Sequence, residues 1–432
     1  MIATLLFVVF AVLMVIGVPV CVALGVAGTL AIVLSNQDVA WFGLLAVPQN
    51  FYAGLAKYPL LAIPMFVLVG SIFDRSGVAR RLVDLAIAIV GRGPGMLPLV
   101  AIAVAMFLGG ISGSGPACAA AVGAVMIAAM SRAGYPGPFS ASVVAAGAAT
   151  DILIPPSIAF IIYSVLVPGA SVPALFAAGM IPGLLAGLAL IVPTVWLARK
   201  HKMGTLEAHL PRPALWPSLC QASWGLAAPV LILGGMRLGW FTPTEAAVVA
   251  VFYGLFVGMC IHRTIKMRDL FTILREAAEL SAVIMMVVAL AGIFAWALST
   301  LSIIDPITHA IVNSGLGEWG VLALLIVLLM TMGMFLDGIS IFLIFVPLLM
   351  PIANAYGWDP VWFGVILTLK VALGQFTPPL AVNLMVSCRI ARVPMESTVP
   401  WVLWLLGAMF LVLVAVLVFP QLALWLPHQL GY

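Results

Sequence analysis

The stretch ATDILIPPSIAFIIYS, residues 149–164, interrupts an apolar run with one acid, Asp151, and two adjacent prolines, Pro155 and Pro156. Proline lacks the backbone donor that a helix needs, and hydrocarbon supplies no water to replace the lost hydrogen bond. Each unsatisfied backbone group inside a bilayer is therefore expensive. The sequence predicts a helix that is broken within the membrane, where protein or a cavity covers the break.

The composition around this break identifies the class of protein. Of 432 residues, 65% are hydrophobic and 7% are charged, and the mean hydropathy is +1.27. These values indicate an all-α polytopic membrane protein. The N-terminus has no positive region and no cleavage signal, so we expect a retained first span. The predicted spans cover residues 2–18, 19–35, 58–74, 138–166, 173–198, 219–238, 242–261, 279–301, 361–388 and 398–426.

Several classes of function are excluded. No G-x-x-x-x-G-K-[ST] loop is present, so the chain does not itself hydrolyse ATP. The five cysteines have no metal spacing, so we expect no disulfide, no zinc and no cofactor. The net charge is +4 with basic residues at helix ends, which predicts no nucleic acid partner. The segment GISG (110–113) matches a protease nucleophile motif, but all five histidines fall in loops or near span ends, so we expect no enzyme.

Two apolar segments, 96–130 and 319–354, are each too long for one span. Their centres are GGISGSGP (109–116) and GMFLDGIS (333–340). We interpret both as re-entrant hairpins, which enter and leave the membrane on the same side. The alternative is a long tilted helix kinked at glycine.

The basic residues give the orientation. With both hairpins returning to their own side, one face receives 15 of the 18 lysines and arginines, which makes it cytoplasmic. The other face receives Lys57, Asp38, Asp305, Glu318 and Asp359. Both termini then lie outside the cytoplasm.

An offset of 223 residues relates the two halves of the chain. It places Pro155-Pro156 on Pro378-Pro379, Gly110 on Gly333 and Gly115 on Gly338. Five predicted crossings separate the hairpins, and an odd number inverts the second half, a plan that is common in secondary transporters. Chance matches of glycine and proline are the alternative.

The predicted organisation follows from this offset. The first repeat covers 1–200, a cytoplasmic loop covers 201–217, and the second repeat covers 218–432. In order, the two repeats carry surface arm helices at 41–57 and 266–278, hairpins at 96–130 and 319–354, and broken helices at 138–166 and 361–388.

The chain resembles the large membrane subunit of tripartite ATP-independent periplasmic (TRAP) transporters. The matching segments, in order, are ISGSGPACAAAVGAVMIAAMSRAGYP (111–136), ILIPPSIAFIIYS (152–164), FTPTEAAVVAVFYG (241–254), MFLDGISIFLIFVPLLMPIA (334–353) and FTPPLAVNLMV (376–386). The resemblance implies sodium-coupled import of a small organic acid by an elevator mechanism at the bacterial inner membrane. It also implies two partners, a small membrane subunit as a separate chain and a soluble periplasmic binding protein.

The resemblance further implies two cation sites built from hydroxyls and backbone carbonyls, with sodium as the coupling ion. The first site uses Ser112, Gly113, Ser114, Ile154, Pro155 and Ser157, and the second uses Gly333, Asp337, Gly338, Gly374, Thr377 and Pro378. Polar groups near the tips would hold the substrate, namely Ser114, Asp151, Ser157, Lys370 and Asn383. For the small residues the alternative is close helix packing, and for Asp337 it is a hairpin cap.

Three residues depart from the family pattern: Asp151 before the first break, Lys370 before the second, and Cys118 after the first hairpin tip. Intramembrane charges are functional candidates by default. We expect Asp151 and Lys370 to form an ion pair, or Lys370 to face a substrate carboxylate; a lysine that snorkels toward water is the alternative.

A second function also fits hairpins and inverted repeats. A self-sufficient sodium–anion symporter or sodium–proton antiporter of a related fold would use the same elements, with Asp151 as a proton carrier. The distinguishing property is whether uptake requires an added periplasmic binding protein.

Overall fold

A computed structural model describes residues 2–36, 40–91, 93–207, 212–334, 336 and 338–432. Within these ranges the chain forms twenty α-helices, short 3₁₀ and π turns, and no strand. The predicted all-α polytopic fold is confirmed. Eight helical segments in the described ranges are long and apolar enough to cross a membrane, and the shorter apolar helices include Gly137–Ala149, Pro360–Gly374 and Val382–Ala391 of the two broken helices.

The first half of the chain contains ten helices. They are α1 (Ile2–Val15), α2 (Val20–Ser35), α3 (Ala40–Leu55), α4 (Ala62–Arg75), α5 (Val78–Val90), α6 (Met96–Ser112), α7 (Gly115–Arg132), α8 (Gly137–Ala149), α9 (Ile158–Leu166) and α10 (Val172–Lys200).

The second half repeats this order. Its helices are α11 (Leu215–Arg237), α12 (Pro243–Phe256), α13 (Met267–Thr300), α14 (Ile304–Val312), α15 (Gly317–Gly333), α16 (Gly338–Ala355), α17 (Pro360–Gly374), α18 (Val382–Ala391), α19 (Val399–Val418) and α20 (Gln421–Leu430). The first residues of α7 and α16, positions 115 and 338, lie 223 apart, as do those of α8 and α17, positions 137 and 360.

At two places the helices of the second half differ from those of the first half. At the same places they differ from the elements that the sequence predicts. Helix α13 continues without a break from Met267 to Thr300, so the expected arm at 266–278 is not a separate helix. Its junction, EAAELS (276–281), holds strong helix formers, whereas Pro59 interrupts the equivalent stretch between α3 and α4. The predicted span 398–426 divides into α19 and α20 because Pro420 follows Phe419 at the end of α19.

Each predicted hairpin consists of two helices joined by a short break. Helix α6 ends at a left-handed Gly113 (φ 60°), Ser114 follows in an extended conformation, and α7 begins at Gly115. Glycine adopts the left-handed conformation without the penalty that a Cβ brings. The second break lies between Gly333 and Gly338.

The hairpins and broken helices interlock across the two halves. Helix α7 packs on α8 of its own half and on α18 of the other, and α16 packs likewise on α17 and on α9. Helix α10 has glycines at every fourth residue, and the missing side chains leave room for the first break to pack against it. Groups built at Gly179 and Gly183 would overlap Leu153 and Ile154.

A second group of helices forms a wall beside this interlocked set. Helix α13 packs on α2, α3 and α4, α1 packs on α2, and α12 packs on α4. Gly28 of α2 allows the close approach, because a methyl group there would stand 3.1 Å from the backbone of Phe294. Contact between the wall and the interlocked set includes α13 against α16.

Candidate functional site

The first hairpin tip lies directly on the first broken helix. A methyl group built at Gly113 would stand 2.8 Å from the carbonyl oxygen of Pro156, and one at Gly110 would stand 3.2 Å from that of Pro155. One turn before the tip, Gly109 lies against the Cα and Oδ1 of Asp151. Backbone therefore meets backbone at this tip, and free carbonyl oxygens of the break face the hairpin.

The second tip meets the second broken helix in the same manner. A methyl group at Gly374 would stand 2.8 Å from the carbonyl oxygen of Gly333 and 3.1 Å from its Cα. Gly338, where α16 begins, lies against Val371 of α17. Asp337, predicted as a ligand here, lies outside the described residues. Among the described residues, the glycines of each tip thus lie against the break of their own half.

A cavity of about 480 Å³ lies between the two tips. The tips, the breaks and the starts of four helices line one side, and α2 and α13 line the other. The wall side contains Val20, Leu280, Val283, Ile284 and Val287. The described lining holds no charged side chain. Its predicted site residues are Gly113, Ser114, Gly333, Gly338 and Gly374.

Four helix N-termini converge on this cavity. Gly115 begins α7, Ile158 begins α9, Gly338 begins α16 and Val382 begins α18, and all four residues line the cavity. The first amides of a helix lack intrahelical partners and carry positive partial charge. The cavity therefore presents a positive field to an anion without using a charged side chain from the described lining.

The complementary helix ends lie at the tips. Helices α6, α15 and α17 end at the tips or the second break, and α8 ends at the first break, so their last carbonyls converge there. Helix C-termini carry negative partial charge and favour cations. Carbonyl and hydroxyl oxygens are also the hard ligands that a sodium ion prefers.

Two predicted hydroxyls are oriented for this role. Ser157 Oγ donates to the carbonyl of Ile152 at 2.6 Å and accepts from the amide of Phe160, which caps α9. Thr377 Oγ1 donates to the carbonyl of Leu373 at 2.6 Å. Because each hydroxyl proton is used by a backbone acceptor, oxygen lone pairs remain for a cation. Both side chains are buried in the breaks, near Ile154, Pro155 and Pro378.

One cavity residue, Gln375, is absent from the sequence-based site. Its Oε1 accepts from Asn383 Nδ2 at 3.0 Å, and its backbone oxygen accepts from the Asn383 amide at 3.0 Å. Asn383 is fully buried against Gly115 of the other half, and its Oδ1 has no hydrogen-bond partner in the described structure. The sequence did offer one signal for Gln375: it is a polar residue directly before the second proline break, in GQFTPP (374–379).

The two intramembrane charges lie apart from the described cavity lining. Asp151 is fully buried beside Gly109, and Lys370 is buried with its Nζ against Sδ of Met330 on α15. In the described structure the contact of the Lys370 ammonium is Met330 Sδ and not a carboxylate, so the expected pair between Asp151 and Lys370 is not seen in this conformation. A role for either residue in binding substrate stays a prediction.

The chain matches the family model "Tripartite ATP-independent periplasmic transporter, DctM component" over residues 7–422. It is 38% identical over 416 residues to the C4-dicarboxylate TRAP transporter large permease protein DctM of Pseudomonas aeruginosa, covering 95% of this chain and 94% of that protein. It is 35% identical over 420 residues to the isethionate TRAP transporter permease protein DctMQ of Oleidesulfovibrio alaskensis, covering 97% of this chain and 65% of that protein.

A solved structure shares the fold. The YdaH transporter of Alcanivorax borkumensis aligns with a TM-score of 0.56 at 14% identity, covering 90% of this chain and 91% of that one. At this identity the likeness concerns the fold alone.

Proposed function

The chain belongs to the DctM component family of TRAP transporters, and from this premise we propose that it imports a small organic acid with sodium as the coupling ion. Members of this family are secondary transporters rather than enzymes, and they work with a substrate-binding protein. The chain is a multi-pass membrane protein. We place it in the bacterial inner membrane with both termini on the periplasmic side.

The observation that carries the proposal is the convergence of four helix N-termini on one cavity. Such ends stabilise negative charge, and a volume of about 480 Å³ holds a small acid with its bound water. The named substrates of the two relatives, a C4-dicarboxylate and isethionate, are small organic anions. Gln375 adds an amide donor at the cavity, and its partner Asn383 fixes its orientation.

Sodium coupling is supported by the opposite helix ends. The carbonyls of the tips and breaks, with the hydroxyls of Ser157 and Thr377, supply the oxygen ligands of a sodium ion without a metal cofactor. A cation there and an anion in the cavity attract each other, so binding of one favours binding of the other.

An elevator motion is supported by the division of the helices. The cavity lies between the interlocked set (α6–α9 and α15–α18) and the wall that includes α2 and α13. We propose that the interlocked set carries the substrate past the wall. The proposed partners are a small membrane subunit and a periplasmic binding protein that delivers the acid.

The test is thermal unfolding of the chain, co-purified with the small subunit, in sodium, lithium, potassium and choline chloride at equal ionic strength. A bound ion raises stability by RT ln(1 + [L]/Kd), about 2.7 kcal/mol at 100 times Kd. We expect a rise that is selective for sodium. Equal curves in all four salts would contradict sodium coupling.

A pair of serine variants localises the ion. Ser157 and Ser171 both cap helices, α9 and α10, through the same kind of side-chain bond to a backbone amide. Removing either cap costs about 1 kcal/mol. We expect Ser157→Ala also to weaken the sodium response, and Ser171→Ala to leave it intact. An equal sodium response in both variants would exclude Ser157 as a ligand.

Uptake into proteoliposomes separates this function from a self-sufficient symporter. With succinate and isethionate as probes, we expect uptake only when the periplasmic binding protein is added. Sodium-driven uptake without that protein would assign the chain to the symporter class instead.

A further inference from the structure

A second cavity, of about 280 Å³, lies between the interlocked set and the wall. The interlocked set contributes residues of α9 and α16 to its lining, and the wall contributes residues of α3 and α13. The polar side chains of the lining include Asn50 and Lys57, which both lie on the wall side. The proposed function assigns no role to this second cavity.

The two cavities follow each other along the same three helices. The 480 Å³ cavity between the tips, here called the tip cavity, is lined by earlier residues of each helix, and the second cavity is lined by later ones. The pairs are Ala159 and Val165 on α9, Ile339 and Leu343 on α16, and Ile284 and Ala291 on α13. In the proposed orientation these helices run toward the periplasm, so the second cavity lies on the periplasmic side of the tip cavity.

Lys57 joins the wall to the interlocked set at the second cavity. Its Nζ donates to the carbonyl of Val165 at 3.1 Å, in the last turn of α9. Carbonyls of a last helical turn lack intrahelical donors and carry negative partial charge, so a cation stabilises them. Lys57 lies between α3 and α4 of the wall, and Val165 belongs to the interlocked set. An elevator motion therefore has to break this contact.

The wall holds the backbone near Lys57 in place through a close helix contact. A methyl group built at Gly292 of α13 would stand 3.1 Å from the backbone oxygen of Asn50 and 3.4 Å from the Cα of Gly54. Helix α3 therefore lies directly on α13 at this point. Lys57 follows Gly54 by three residues, and its long side chain is exposed. Its ammonium can therefore change partners while its backbone stays with the wall.

The spacing of the lining residues gives the effect of a displacement of the interlocked set. Helix α9 begins at Ile158, seven residues before Val165, which is on the order of 10 Å along the helix. Ile284 and Ala291 are also seven residues apart, which is close to two turns, so they lie on the same face of α13. A movement of this length toward the periplasm brings the N-terminus of α9 to the level of Lys57 and the tip cavity to the level of Ala291.

We propose that the wall side of the second cavity forms the wall side of the substrate site in the periplasm-facing conformation, where Lys57 leaves the Val165 carbonyl and binds an anionic group of the acid. This inference rests on the proposed elevator motion and the proposed organic acid. The full charge of Lys57 adds to the partial charges of the helix N-termini when the acid enters. After the return movement Lys57 binds Val165 again, and the acid loses a charged contact before its release to the cytoplasm.

The test begins with two crosslinked forms of the chain, purified with its small subunit in a background without the native cysteines. Ile339→Cys with Ile284→Cys should lock the present conformation, because both residues line the tip cavity and α16 packs on α13. Ile339→Cys with Ala291→Cys should lock the displaced conformation. We expect a short bifunctional maleimide to crosslink both pairs. Failure of the second pair to crosslink would contradict the displacement and the inference with it.

Acid binding is then measured in each locked form by thermal unfolding with succinate and with isethionate, since a bound ligand raises stability by RT ln(1 + [L]/Kd). In the form locked at Ala291, we expect Lys57→Gln to weaken acid binding by about tenfold or more, because it removes an ammonium that pairs with the acid. In the form locked at Ile284, the same substitution should leave binding unchanged. Lys57→Arg, which keeps the charge, should retain most of the binding in both forms.

Arg237→Gln is the matched control. Arg237 Nη1 donates to the carbonyl of Leu430 at 2.6 Å, at the end of α20, so it is also a cation at a helix C-terminus. Neither residue is among the described lining of either cavity. We expect Arg237→Gln to leave acid binding unchanged in both locked forms.

The outcomes separate this inference from the proposed function. Acid binding in both locked forms that Lys57→Gln leaves unchanged would overturn the inference and leave the proposed function standing. Equal weakening in both forms would also overturn it, because Lys57 would then act through the fold and not through contact with the acid. No stabilisation by either acid in either form would contradict the proposed binding of a small organic acid, and the inference with it.

Discussion

Gly109 of the first hairpin lies against the backbone of Asp151, and Gly374, the residue 223 positions after Asp151, lies against Gly333 of the second hairpin. A methyl group built at Gly109 would stand 2.7 Å from the Cα of Asp151. The hairpin can approach the broken helix this closely only because residue 109 has no side chain. The buried carboxylate of Asp151 is thereby held one turn below the tip, at the base of the proposed ion site.

Gly109→Ala should therefore separate the first hairpin from its break. Relief of this overlap needs a backbone shift, which costs about 1–3 kcal/mol of unfolding free energy. We expect a lower melting temperature and a weaker sodium response. Gly407→Ala on α19, where a methyl group meets nothing within 4 Å, is the control and should be neutral or slightly stabilising. Equal melting temperatures for the two variants would refute the tight contact.

Gln375→Glu should weaken substrate binding and preserve the fold. A glutamate keeps the oxygen that accepts from Asn383 but replaces an amide donor with negative charge at the cavity. We expect the KM for succinate uptake to rise about tenfold or more, since repulsion between an anion and a nearby carboxylate exceeds 1.4 kcal/mol. The exposed Gln221→Glu serves as the control. An unchanged KM would place the acid elsewhere.

Tyr135 and Glu207 predict a pH dependence at the base of the first hairpin. The Tyr135 hydroxyl donates to Glu207 Oε2 at 2.5 Å and accepts from the Gly95 amide at 2.7 Å. Burial raises the pKa of Tyr135, and the bond to Glu207 raises it further. The folded protein thus holds the proton after the unfolded chain loses it near pH 10, so stability falls as pH rises above about 10.

Thermal unfolding across alkaline pH checks this point. Tyr135→Phe should show a smaller fall in stability above pH 10 than the wild type, since it removes the titrating hydroxyl (pKa about 10 when unfolded). Parallel curves for the two proteins would be inconsistent with this assignment.

The orientation has its own test. We expect the α14–α15 loop to be periplasmic and the loop after α10 cytoplasmic. In a background without the native cysteines, Ser314→Cys should react with a membrane-impermeant maleimide in intact cells whose outer membrane is permeable to the reagent. Thr205→Cys, at an equally exposed position, should react only after the inner membrane is broken. The reverse pattern would invert the topology.

The sequence predicted the breaks more reliably than the helix ends. Pro155 and Pro378 mark both breaks because proline cannot donate to the helix ladder wherever the chain folds. The division between α3 and α4 and the continuity of α13 depend on weaker preferences, and the sequence alone assigned an arm at 266–278 that is part of one helix.

The sequence predicted only part of the candidate site, because a local pattern does not show which distant residues come together on folding. Glycines and hydroxyl-bearing residues beside a proline break can be recognised as candidate ligands from a few consecutive residues of sequence. Gln375 belongs to the site because of Asn383 and of Gly115, which lies 260 residues away in the sequence, and that neighbourhood is visible only after folding. The expected pairing of Asp151 with Lys370 was wrong in this conformation, since residues at nearly equivalent places in two repeats need not be neighbours in space.

The sequence by itself determined that this chain crosses a membrane, that two helices break inside it, and that the halves repeat at an interval of 223 residues. These properties follow from hydropathy, from proline and from spacing, which act locally. Only the tertiary structure decided that α7 packs on α18 and α16 on α9, that four helix N-termini meet at one cavity, and that Lys370 lies beside Met330 instead of Asp151. Packing between distant segments sets these contacts, and the spacing of residues along one chain does not encode them.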